Sequence, residues 1–305
     1  MHFGAHIFLW TGRWTNACLP LMDRVRGLGL DLLEIACGDD IEFDPSAVRR
    51  RAGSLGLSLA LSPGGSWPME ADIAHADPAV RRKGLAWHRR WIERAGEAGV
   101  IAYTGALYAH PGRVERRGPD ADEHRRAAEG LHALAAIGAA CGVAVVIEPM
   151  SHFRTHLVNT PDQAMRLLDA ADHPNLGVLF DTYHAVTEVR DYAAAVHTLA
   201  PRLWGLHACE SDRGVPGGGL VPWDALFAAL SAVRFDGCVL FETYNSTLDA
   251  GRFAYARSMF HQVCPDGDAF VRAGLEFMHA FLVPAADASL VKPARQAAAF
   301  RSPSP

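Results

Sequence analysis

No stretch of the chain reaches the roughly 18 to 20 consecutive apolar residues of a membrane span. The opening segment, Met1 to Trp10, has neither a positively charged start nor a small-residue cleavage site, so it does not read as a signal peptide. Basic residues form no stripe. The 29 Lys and Arg stand against 34 Asp and Glu, a formal charge of −5, and this removes the footprint that nucleic acid or an anionic membrane surface needs. Cysteine is sparse: positions 18, 37, 141, 209, 238 and 264 include no C-x-x-C pair, which points to free thiols in a reducing cytoplasm. No G-x-G-x-x-G follows the first apolar run, so a dinucleotide fold is disfavoured. What remains is a half-hydrophobic chain of 305 residues with the composition of a soluble globular protein. From Ala285 to Pro305, Ala, Pro and Ser dominate without periodicity, as in a tail or arm that packs on the main body or on a neighbouring subunit.

The patterning is one repeated unit. Short apolar runs near 3–9, 30–36, 57–62, 100–107, 143–148, 176–181, 203–208 and 238–243 have the near-continuous hydrophobicity of strands buried on both faces. Amphipathic stretches near 16–28, 45–55, 77–98, 120–141, 160–171, 189–199, 222–233 and 266–282 predict the helices between and after them. Asp77-Pro78 and Thr160-Pro161 look like an N-cap followed by Pro at the first helical position. Gly29, Gly56, Gly99 and Gly142 fall where a left-handed residue ends a helix. Eight strand–helix units predict an α/β (β/α)8 TIM barrel over residues 1–284, rather than an open doubly wound sheet.

Such a barrel builds its active site at the C-terminal ends of its strands. Glu148, Asp181, His207 and Glu242 end predicted strands 5 to 8, each after a run of buried apolar residues. A carboxylate alone at that depth is costly, and three of them with an imidazole repel one another unless a cation sits among them. Three oxygen-bearing groups and one nitrogen suit Mn²⁺, with Mg²⁺ or Co²⁺ as alternatives, better than structural zinc. Trp10, Trp14, Tyr108 and Tyr244 follow strand ends and are expected to wall a sugar pocket or to pack in the core. Glu34, at the end of strand 2, is placed to bind a hydroxyl or to orient His6 or His207. His110 is similarly placed, though a lone loop histidine is more often solvated.

The strings IEP (147–149), FDTYH (180–184), LHACESDRGVPGGGLVPW (206–223) and FETYN (241–245) carry a resemblance. They resemble the sugar-epimerase branch of the xylose isomerase-like TIM barrels, in particular the D-tagatose/D-allulose (psicose) 3-epimerases, from strand 1 through the eighth helix. The resemblance implies one divalent ion per subunit held by Glu148, Asp181, His207 and Glu242, with Glu148 and Glu242 doubling as the acid/base pair. It implies that His184, on the loop leaving strand 6, binds substrate and that Arg213 hydrogen-bonds the ketose near its carbonyl. Glu210 matches a position that is also acidic in that family; its other reading is a loop carboxylate pairing with Arg213. The implied partner is a small sugar, and a homo-oligomer, dimer or tetramer, is expected. Removing a hydrogen beside a carbonyl requires stabilisation of the resulting charge by a Lewis acid, and inverting the centre requires one base and one acid on opposite faces.

One departure bears on the substrate. After the strand 5 glutamate the resembled family reads Asn-Arg-Tyr/Phe-Glu, where this chain has Ser151-His152-Phe153-Arg154. Arg154 either faces the pocket, where it suits a keto sugar bearing a carboxylate or phosphate, or turns outward to a surface acid. An aldose–ketose isomerase, or a lyase or dehydratase acting on a keto sugar such as a 3-keto glycoside, uses the same first proton transfer. A DNA-repair endonuclease on this barrel would need a richer histidine cluster and a basic groove, and a non-catalytic carbohydrate-binding descendant would not need the ligand set.

Overall fold

In the computed structural model, which describes residues 1–282, eight parallel strands close into a barrel in sequence order. They are β1 (His2–His6), β2 (Leu32–Ala36), β3 (Ser58–Ser62), β4 (Ala102–Gly105), β5 (Ala144–Ile147), β6 (Leu176–Asp181), β7 (Leu203–Ala208) and β8 (Cys238–Phe241). Closure comes from β8 pairing back onto β1, with His2 opposite Cys238 and Ala5 opposite Phe241. The chain therefore is a (β/α)8 TIM barrel, as its alternating pattern predicts. The tail expected over Ala285 to Pro305 lies outside the described residues.

The helices are α1 (Leu21–Gly27), α2 (Pro45–Leu55), α3 (Pro78–Ala98), α4 (Ala121–Cys141), α5 (Pro161–Ala171), α6 (Thr182–Glu188), α7 (Tyr192–Leu199), α8 (Trp223–Ala232), α9 (Arg252–Tyr255) and α10 (Gly267–Leu282). The caps form where the sequence places them. Asp77 accepts from the Ala79 amide ahead of α3, and Thr160 and Gln163 form a reciprocal capping box on α5. Gly56, Gly99 and Gly142 adopt the left-handed conformation that ends α2, α3 and α4.

Several boundaries differ from expectation. β1 stops at His6, not at residue 9, because the His6 imidazole caps a 3-10 turn over Ile7–Leu9 by accepting from the Phe8 amide at 3.1 Å. The stretch expected as a loop after strand 6 is α6, started by the side chain of Asp181. The helix expected over 189–199 begins only at Tyr192, where Asp191 caps it. In the long connection from β8 to α10, the short α9 carries no periodicity long enough to be read.

Two apolar layers surround the strands. Leu32, Ala60, Ala102, Val146, Leu179, Cys238 and Leu240 form a buried cluster of strand residues separate from the main core. The larger core packs the helices onto the strands, with Trp87, Trp91 and Ile92 of α3 and Leu131 and Leu134 of α4 among its members. Gly138 sets how near α4 approaches the sheet: a Cβ there would lie 2.5 Å from the carbonyl oxygen of Val143 and 2.9 Å from Val145 Cγ2. That carbonyl is held by Asn175 Nδ2 at 2.8 Å and cannot retreat freely. Gly138→Ala gains up to about 1 kcal/mol of helix propensity but overpacks the seam, so a net loss of about 1–3 kcal/mol is expected. The midpoint of urea unfolding measures it, and a midpoint at or above that of the parent chain would contradict this account of the seam.

Candidate active site

β5 and β8 each stop one residue short of a glutamate, Glu148 and Glu242, whereas β6 and β7 carry Asp181 and His207 within the strand. Asp181 and His207 are register partners across β6 and β7. The Glu148 amide donates to the Gly105 carbonyl at 2.9 Å, which holds that carboxylate at the rim between β4 and β6. All four side chains are buried, and one ligand-capable atom from each lies within 4.8 Å of the others.

His207 is the hub. Its Nε2 donates to Glu34 Oε2 at 2.7 Å, while its Nδ1 faces Glu148 Oε1 at 3.0 Å and Glu242 Oε2 at 3.5 Å. Glu34 is fully buried and is also held by the Thr104 hydroxyl. Burial alone would raise the Glu34 pKa, but the His207 imidazole beside it, with help from His6 and Thr104, lowers it to about 2. Burial disfavours the charged form of His207 as well, yet Glu242, Glu34 and Glu148 together push its pKa well above the usual histidine value. For Glu148 burial wins and pushes the carboxyl up, with Asp181 and Glu242 adding to the effect.

Asp181 divides its two oxygens. Oδ1 accepts from the amides of Tyr183 at 2.7 Å and His184 at 3.3 Å, so it caps α6. Oδ2 lies 3.0 Å from Arg213 Nη1 without the alignment of a hydrogen bond and is otherwise unpartnered in the interior. Arg213 is itself buried: it pairs with Glu242, its Nη2 donates to His184 Nε2 at 3.2 Å, and it stacks over Tyr183 at 4.2 Å. Its backbone sits at φ 68°, an uncommon value for a non-glycine residue, and Thr243 Oγ1 holds its carbonyl at 2.6 Å. Burial lowers the His184 pKa to about 4, so this imidazole is neutral near pH 7.

The glutamates open onto one cavity with two lobes of about 320 and 360 Å³. His6, Phe8, Ser62, Trp67, His110 and His207 border the first lobe; Ser151, Tyr183, His184 and Arg213 border the second. Glu148, Met150, Arg154, Glu242, Tyr244 and Arg257 border both. Three carboxylates and one imidazole nitrogen, buried together with an underused Asp181 oxygen, form a donor set that fits a hard or borderline divalent cation. Arg213 and His207 offset part of the charge of Glu34, Glu148, Asp181 and Glu242.

Some expected pocket residues lie elsewhere. The turn after β1 carries the chain away, so Trp10 donates to Asp268 of α10 at 2.8 Å and Trp14 is completely buried in the core. Tyr108 is buried behind the rim, its hydroxyl donating to the carbonyls of Glu148 and Val158 at 3.1 Å each; of the four aromatics proposed as a wall, Tyr244 is the one at the cavity. Glu34 supports His207 and does not border the cavity. Glu210 does not pair with Arg213. It gathers its own loop, accepting from Trp223 Nε1 at 2.6 Å and from the amides of Gly217 and Ser211 at 2.8 and 3.1 Å. His184 belongs to α6 and not to a loop. Arg154 borders the cavity, has no acidic partner within 4 Å among the described residues, and is exposed. His110 is buried at the cavity, its Nε2 donating to the Trp67 carbonyl at 2.9 Å, contrary to the solvated reading. Trp67 and Arg257 were not singled out from the sequence; Trp67 follows the turn-rich Pro63-Gly64-Gly65-Ser66 after β3, a loop at the functional end of the barrel and hence a usable signal.

The fold and the site together define a (β/α)8 barrel with a candidate metal centre at the C-terminal ends of its strands. Residues 22–279 match the xylose isomerase-like TIM barrel family, and the chain belongs to it. A ketose 3-epimerase of Arthrobacter globiformis is 30% identical to it over 257 residues, 82% of this chain and 86% of that protein. A probable ketose 3-epimerase of Synechocystis sp. is 27% identical over 277 residues, 90% of this chain and 95% of that protein. A solved L-ribulose 3-epimerase superposes with a TM-score of 0.85 at 26% identity, covering 92% of this chain and 94% of the other.

The Glu34–His207 pair makes the metal-free chain acid-sensitive. Glu34 is lowered from 4.5 to about 2, so its pairing stabilises the fold above about pH 4.5, and this contribution is lost as the pH falls toward 2. The loss is on the order of 3 kcal/mol. Glu34→Gln removes that titration, so its unfolding free energy in chelator should fall less between pH 5 and pH 3 than that of the parent. Parallel acid limbs for the two chains would contradict the assignment.

Proposed function

We propose that the chain is a divalent-metal-dependent epimerase that inverts C3 of a ketose. The observation that carries the proposal is the placement of two glutamates, Glu148 and Glu242, on the border of one cavity with His207 Nδ1 between them at 3.0 and 3.5 Å. Mn²⁺ is the ion this donor set favours, with Mg²⁺ or Co²⁺ as substitutes, held by Glu148, Asp181, His207 and Glu242. When bound, the ion supplies Lewis-acid stabilisation of the negative charge that develops on the sugar oxygens.

The chain's own residues perform the proton transfers. One glutamate takes the C3 hydrogen as a proton, and the other returns a proton to the opposite face; in the reverse reaction their roles exchange. Arg213 acts as the donor to the carbonyl and hydroxyl oxygens, neutral His184, which borders the same lobe, orients it by accepting from its Nη2, and Asp181 holds the guanidinium in place. Glu34 fixes the His207 ring by accepting from Nε2, so that Nδ1 gives up its proton when an ion binds and serves as the ligand nitrogen. Tyr244, Phe8 and Trp67 exclude water from the deprotonated carbon.

Incubation of the Mn²⁺-loaded protein with a ketose panel in D₂O should place deuterium at C3 and yield the C3 epimer. Glu148→Gln and Glu242→Gln should each lower turnover by about 10²–10⁴-fold. Chelation should abolish activity and lower Tm, and Mn²⁺ should restore both. Near-normal turnover by either glutamine variant would refute the two-glutamate mechanism, and full activity without metal would refute the metal dependence. Deuterium at another carbon, or loss of water, would identify an isomerase or a lyase instead.

A further inference from the structure

The floor and the rim of the cavity have opposite character. At the floor every guanidinium is matched: Arg213 pairs with Asp181 and Glu242. At the rim, Arg154 and Arg257 border both lobes, and among the described residues neither has a carboxylate within 4 Å. They come from different connections, one after β5 and one after α9, yet they converge on the same space.

Both are positioned by contacts that supply no negative charge. Arg154 stands on a turn pinned by two backbone bonds, its amide donating to the Ser151 carbonyl at 2.8 Å and its carbonyl accepting from Gly112 at 2.9 Å. Arg257 is half-buried, with its guanidinium 3.8 Å from the ring centre of Phe253 and 4.6 Å from that of Phe8. Its Nη1 donates to the Phe253 carbonyl at 3.1 Å. These rings orient the plane of the guanidinium, and burial works against its charged form, with Arg154 adding to that effect and Tyr244, Glu242 and Asp40 offsetting part of it. The carboxylates of the same cavity, Glu148 and Glu242, are engaged with His207 and Arg213 and make no direct contact with either rim guanidinium, and an anionic group on the substrate would supply that contact through bidentate hydrogen bonds.

We propose that Arg154 and Arg257 form an anion subsite, and that the ketose this enzyme takes carries a carboxylate or phosphate away from its reacting carbon. The proposal rests on the epimerase reading for the word ketose, but the subsite can be tested without turnover. Calorimetric binding of D-fructose, its 6-phosphate and its 6-carboxylate to the Mn²⁺-loaded full chain separates the two anions from each other and from the neutral sugar. At least one anionic sugar should bind roughly tenfold or more tightly than D-fructose, with an advantage that shrinks as salt rises. Arg154→Ala and Arg257→Met should each reduce that anionic-to-neutral ratio about tenfold, whereas Arg257→Lys should retain part of it. Arg154 is exposed, so its substitution reads the subsite even if a change at the packed Arg257 disturbs folding. Equal binding of all three sugars, or an anionic advantage that survives Arg154→Ala undiminished, would overturn the proposal. Deuterium uptake at C3 with the same sugars is scored separately: exchange without anionic preference rejects the subsite and leaves the epimerase reading intact. An arginine-dependent preference without exchange supports the subsite and rejects the epimerase reading.

Discussion

Mutual repulsion among carboxylates at the end of a dry barrel governs the arrangement of nearly everything around them. Glu34, Glu148, Asp181 and Glu242 are all buried, and uncompensated charges at that depth are too costly to persist. His207 and Arg213 are placed where they offset part of the charge, and both are drawn further toward their cationic forms by it. The remaining excess suits a divalent ion. Loops that look unrelated to chemistry serve this balance as well: Glu210 ties the turn after β7 to Trp223, and that turn presents Arg213 at a backbone angle it would not adopt alone.

Much of this was legible before any coordinates, for definite physical reasons. A strand buried on both faces must be apolar nearly throughout, so a polar residue at its end stands out, as Glu148, Asp181, His207 and Glu242 do, and the barrel brings them together. Glu34 sits within β2 among Leu32, Leu33, Ile35 and Ala36, and the sequence left open whether it met substrate or a histidine. Its place beneath His207 depends on side-chain directions across neighbouring strands, which one-dimensional spacing does not encode.

The aromatic residues show the opposite case. Trp10 and Trp14 follow the end of β1 closely, but the 3-10 turn capped by His6 redirects the chain, and nearness in sequence gives no nearness to the cavity. Tyr108 lies beside the rim with its ring behind it. Arg257 reaches the cavity through α9, four residues long and without a periodic signature. The residues that line the mouth thus come from irregular connections, where the hydrophobic period that reveals strands and helices carries no information.

The two oxygens of Asp181 hold two parts of the molecule to a common fate. One ends a strand by opening a helix, and that helix carries Tyr183 and His184; the other faces the charged cluster. Both oxygens belong to a single rigid carboxylate plane, so any rotation that improves one oxygen's contact alters the other's. The first turn of α6, which brings Tyr183 and His184 to the cavity, is thus fixed by the same carboxylate that faces the charged cluster, so the floor of the cavity and this part of its wall are built as one piece.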